Sequence, residues 1–235
     1  MTDASMATFH LKAPGFAREC AIVLLVLAVS AGLLVLLASL LPQPVAAQFF
    51  SEEGLVERIT EACWVFTGLV ILKQLPPSSV MTWVFALLCF FCAAREADLH
   101  KAFTADSMLK MNYYRRTVAP LAEKLLAGVV ALGVVVLAGL ALASLLRFVR
   151  RGGWRLRHGV WLMAALALMV LTKLFDRLPA TLHVDYDIVI SQWMQLRLLA
   201  LEEGLESVAP LMLAWSAWLS RRAAQHRRLP FEPAA

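Results

Sequence analysis

Charge is scarce in this chain, and acid is nearly missing from one set of its segments. Only 17% of its 235 residues are Asp, Glu, Lys or Arg, against 60% hydrophobic. A soluble domain of this length has too little interior to hide so much apolar side chain, which excludes that class. Catalytic signatures are missing too. No GxSxG, HExxH or Walker A sequence occurs, so neither a hydrolase elbow, a zincin helix nor a nucleotide-binding loop is indicated. The four cysteines, Cys20, Cys63, Cys89 and Cys92, lie in or beside apolar runs and suggest no disulfide framework. Cys89 and Cys92 form a CxxC, but in Phe- and Leu-rich sequence they read as two small apolar side chains. No pair of histidines falls within the apolar runs, so haem is not indicated.

What is present is apolar sequence in long runs, as spanning helices require. The reading is an all-α polytopic membrane bundle of about six transmembrane helices. The helices are expected at about 21–41, 52–74, 79–96, 119–147, 159–175 and 202–219. A tail of residues 1–20 precedes this single membrane domain (21–220), and a basic tail of 221–235 follows it. Pro44-Val45-Ala46-Ala47 after the first run raises a cleaved signal peptide, but the run is longer than the usual apolar segment of about 7–15 residues. A retained helix is therefore expected. The short second and third helices leave open a re-entrant pair over 59–94.

Charge sets the orientation. Threading six helices places twelve Lys/Arg with only three acids (Asp3, Glu19, Glu232) on one side. The other side carries ten Lys/Arg and fourteen acids. Arg147, Arg150, Arg151, Arg155 and Arg157 make the firmest cytoplasmic anchor, and Arg221, Arg222, Arg227 and Arg228 fall on the same side. An odd number of helices would separate these clusters. Both termini are thus expected in the cytoplasm, in a bacterial inner membrane, with the acidic face outward. The net charge of +5 follows from basic helix ends, so no nucleic-acid partner is inferred.

Four outer segments bring carboxylate or imidazole. Glu53, Glu57 and Glu61 share one helix face at i, i+4 and i+8, where like charges repel unless something offsets them. Glu61 lies deepest in apolar sequence. Glu96 and His100 are spaced to ligate one ion, as are His183 and Asp187. Glu202-Glu203-Gly204-Leu205 echoes Glu52-Glu53-Gly54-Leu55, either as a weak repeat or as convergent capping by acids at helix starts.

Two chemistries follow. In the first, His100, His183, Asp187, Glu96 and Glu203 bind a divalent metal, zinc by preference, and Glu57 and Glu61 act as catalytic carboxylates. The protein is then a metal-dependent hydrolase of lipid or another amphiphile. In the second, Glu61 carries protons or cations in a coupled transporter or sensor. A non-catalytic assembly protein is the third class. Arg95, Lys101, Arg115 and Arg116, near Tyr113 and Tyr114, are candidates for lipid headgroups or for neutralising the acids. Membrane lipid is the expected partner, and a second copy or another membrane protein is left open.

Overall fold

The computed structural model describes residues 15–51, 54–99, 111–116 and 120–226. Eight α-helices are described: α1 (Phe16–Leu40), α2 (Gln43–Phe49), α3 (Leu55–Gln74), α4 (Val80–Glu96), α5 (Met111–Arg116), α6 (Leu121–Arg150), α7 (Arg157–Tyr186) and α8 (Gln192–His226). A single 3₁₀ turn, Gly153–Arg155, joins α6 to α7. No strand occurs among the described residues. Three helices, α1, α6 and α7, are long and apolar enough to cross a membrane. The faces of α1 and α6 are lined with exposed Leu and Val, from Leu24 and Leu33 to Leu125, Val129 and Val135. Hydrocarbon, not water, suits such faces.

Local chemistry explains the ends. Pro76 and Pro77 cannot continue α3, and the carbonyls they leave are taken up by the next helix. Thr82 Oγ1 donates to the Pro76 carbonyl at 2.7 Å, and Trp83 Nε1 donates to that of Pro77 at 3.0 Å. Pro120 stands just before α6, where a missing N–H costs nothing. α7 does not end near 175 as its polar residues suggested. It runs through Pro179 to Tyr186 and closes with Asp187 left-handed at φ 54. The Asp187 amide donates to the Leu182 carbonyl, and so does that of Ile188 at 2.9 Å, which satisfies the last turn. Nothing between 176 and 186 stops a helix except the proline, and one proline only removes one bond. α8 likewise begins at Gln192, ten residues before the expected start near Glu202. Gly204 therefore lies inside α8, whereas Gly54 precedes α3, and the Glu-Glu-Gly-Leu echo does not build the same structure twice.

Contacts between helix ends give the bundle two chemically distinct ends. At one, Glu19 of α1 pairs with Arg157 of α7 at 2.6 Å. There Ser216 Oγ of α8 donates to the His158 carbonyl at 2.7 Å. Arg221 of α8 donates to the last carbonyls of α3, reaching Lys73 O at 3.1 Å, as a cation at a helix C-terminus should. At the other end Arg197 of α8 donates to Ser39 Oγ of α1 at 2.8 Å. So α1, α4 and α7 run from the first end, where the arginines cluster and which is the basic end, to the second, where most carboxylates gather and which is the acidic end, and α3, α6 and α8 run back.

α8 is the centre, packed on α7, α3 and α1, while α4 joins α3 to α6. Val23, Trp161, Ala165, Leu168, Leu205, Ala209 and Met212 make the α1–α7–α8 core. Small residues set the spacing. A Cβ on Gly68 of α3 would lie 2.6 Å from the Phe90 ring of α4, and one on Gly204 would strike Leu34 of α1. Buried Thr67 of α3 donates at 2.7 Å to the Pro210 carbonyl of α8.

Candidate functional site: an acidic cluster around Lys173

Lys173 is the one charge in the apolar stretch 160–175. In low dielectric such a charge needs a counter-ion. α8 supplies it: Lys173 Nζ lies 2.7 Å from Glu206 Oε1. The depth of this pair follows from helix geometry. Gly204 packs on Leu34, six residues before the end of α1, and Glu206 is two residues further from that end. At 1.5 Å per residue, the pair sits about 12 Å along the bundle from the Leu40 end of α1.

More acids converge on it. Glu203, one turn before Glu206, feels the charges of Glu206, Glu202, Glu57 and Lys173. Glu96, at the end of α4, feels Arg95, Glu206, Lys173 and Glu61. Glu57, in the first turn of α3, feels Glu96, Glu61, Arg58 and Asp98. Among the described residues, six carboxylates from three helices, with Asp98 just past α4 as a seventh, thus face three cations, Arg58, Arg95 and Lys173. The cations pair locally: Arg58 with Glu61 at 2.7 Å and Arg95 with Glu96 at 3.5 Å. The carboxylates lie beneath and the cations reach over them. The Glu206 and Glu96 side chains are 14% and 16% exposed, whereas those of Lys173 and Arg95 are each 48% exposed. A cavity of about 50 Å³ opens among Arg95, Glu96, Lys173 and Glu206, walled by Trp64, Thr172 and Met169. That is room for a few waters or a small ion.

The cluster gathers some of the expected site residues and not others. Glu57, Glu61, Glu96 and Glu203 come together. His183 and Asp187 do not: both are exposed, and His183 lies ten residues beyond Lys173 on α7, about 15 Å along the helix. Among the described residues no three His, Cys, Asp or Glu side chains are placed to hold one metal ion. His100 and Lys101 lie outside the described residues, as do Glu52, Glu53 and the side chain of Arg116. Arg115 is exposed on α5. Its neighbour Tyr113 is fully buried and donates to Glu123 at 2.6 Å, which docks α5 on α6. Burial and that bond push the Tyr113 phenol up to about 12.

Lys173 is the residue that sequence reasoning missed, although a lone lysine in an apolar run signals an ion pair. Glu19 counts in the sequence only towards the charge of its side, and the structure gives it a partner. It is 4% exposed, and besides Arg157 it accepts a hydrogen bond from Trp161 Nε1 at 3.1 Å. Trp161, Trp215 and Trp218 then fill the basic end, the last two stacked at 4.5 Å. Comparison with known protein families, curated proteins and solved structures finds no match.

Proposed function

We propose that this chain is a six-span membrane protein of a bacterial inner membrane, with both termini cytoplasmic, whose acidic outer end binds protons and responds to them. It belongs by this reading to the coupled transporters and sensors. The observation that carries the reading is the Lys173–Glu206 pair, about 12 Å along the bundle from the Leu40 end of α1, in a group of seven carboxylates and three cations. So unequal a group, with Glu96 and Glu206 largely covered, balances its charge by taking up protons or small cations. Glu61 is paired with Arg58 at 2.7 Å, and Glu206 with Lys173 at 2.7 Å. The better bearer is Glu203 on α8, the helix packed on α7, α3 and α1, because the acids Glu206, Glu202 and Glu57 surround it. A proton there changes what holds α8 to α7. Buried Glu19, bonded to Arg157 and Trp161, ties α1 to α7 at the basic end, and the cluster lies at the opposite end, which supports one-sided sensing.

A metal-dependent hydrolase with Glu57 as base would need His183 beside Glu96 and Glu203, and α7 carries it away. The test uses Trp64, which walls the cavity, as reporter. Wild type, Glu203→Gln, Glu206→Gln and Trp64→Phe are reconstituted in nanodiscs, and tryptophan emission is titrated with pH. We expect a reversible transition in wild type, moved or abolished in both Gln variants and absent in Trp64→Phe. A flat wild-type titration overturns the reading.

A further inference from the structure

The link between α6 and α7 crowds arginines without acids. Arg147, Arg150 and Arg151 close α6 at i, i+3 and i+4, and so share one face. Arg155 follows in the 3₁₀ turn, and all four are exposed. Among the described residues the only carboxylate at this end is Glu19, and Arg157 and Trp161 occupy it. The helix dipole offsets part of the repulsion at the end of α6, and Arg147 Nε donates to the Ala143 carbonyl at 3.2 Å. Neither supplies an anion for Arg150, Arg151 or Arg155.

The turn that holds them is rigid. Gly152 adopts φ 74, which favours glycine. Gly153 lies under the Phe148 ring, and Gly159 packs against the Gly153 carbonyl, so a side chain at either position would collide. Trp154 meets Phe16 of α1 edge-on at 5.7 Å, and the Arg155 guanidinium stands 4.8 Å from the Trp154 ring centre. Beyond the turn α6 leaves α7 and rests on α4. Leu142 and Leu146 are exposed on α6, as Trp154 and Leu156 are after it. Exposed guanidiniums therefore stand on a glycine-shaped turn that also carries a tryptophan, at the end of an apolar helix face. Phosphate suits the first and acyl chain the last.

We propose that this turn is a binding site for an anionic phospholipid of the leaflet at the basic end. Arg150, Arg151 and Arg155 hold the phosphate, and the acyl chains lie along the exposed face of α6. The site is independent of the acidic cluster and stands or falls without it.

Native mass spectrometry tests this with the full chain in mild detergent, titrated with phosphatidylglycerol or phosphatidylcholine. Wild type is expected to retain phosphatidylglycerol selectively. Arg150→Gln/Arg151→Gln should bind it about 25-fold more weakly, at about fivefold per surface cation. The control Lys124→Gln/Arg177→Gln removes the same charge at the acidic end and should bind as wild type does. Arg150→Lys/Arg151→Lys keeps the charge without the planar fork and should fall between. Equal losses in the Gln double variant and the control, or no selectivity in wild type, would overturn the site.

Discussion

Removing Arg157 should harm the protein more than removing Glu19, although Glu19 is the buried partner. The two form one pair at 2.6 Å, with side-chain exposures of 69% and 5% respectively. Take away Glu19 by Glu19→Gln, and Arg157 turns into water at little cost. What is lost is one charge-assisted hydrogen bond, while the amide oxygen still accepts from Trp161, so the cost is about 1–2 kcal/mol. Take away Arg157 by Arg157→Gln, and the carboxylate stays buried with Trp161 Nε1 as its remaining donor. Breaking a buried pair in this way costs about 3–5 kcal/mol, and the exposure of Arg157 moves the expectation to the low end. The double variant removes the stranded charge and should be more stable than Arg157→Gln alone, a favourable coupling between the two substitutions. Equilibrium unfolding in SDS mixed micelles, followed by circular dichroism, measures all three. If Glu19→Gln costs as much as Arg157→Gln, or if the two costs simply add, the pair does not anchor α1 to α7 as argued.

Helix spacing offers a paired test. Gly68→Ala places a methyl 2.6 Å from the Phe90 ring, whereas Gly133 has nothing within 4 Å. Overpacking should lower the stability of Gly68→Ala by about 1–3 kcal/mol and leave Gly133→Ala unharmed, as read by thermal unfolding in detergent. Orientation is tested by cysteine labelling on the Cys-free background. Asp185→Cys should react with an impermeant maleimide in intact cells, and Arg155→Cys only after the membrane is opened. The reverse pattern would invert the proposed topology.

The helical class, the apolar lengths of α1 and α6, and the separation of basic from acidic ends were determined by the sequence alone. These are local or summed properties: a run either is or is not long enough to span, and charge sorts by segment. Glu57, Glu61, Glu96 and Glu203 could be suspected in the same way, because each stands near the end of an apolar run. The partners could not. Lys173 meets Glu206, Glu19 meets Arg157, and Thr67 meets Pro210 across separations of 33, 138 and 143 residues. No periodicity encodes which faces of α7 and α8 will meet, since that depends on where Gly204 admits Leu34 and where Gly68 admits Phe90. α7 stays helical through Pro179 on mostly exposed residues and so carries His183 away from the acids. An imidazole that sequence spacing offered to a metal thereby became an exposed group at the far end of a helix, while a lysine that spacing left unremarked became the centre of the site.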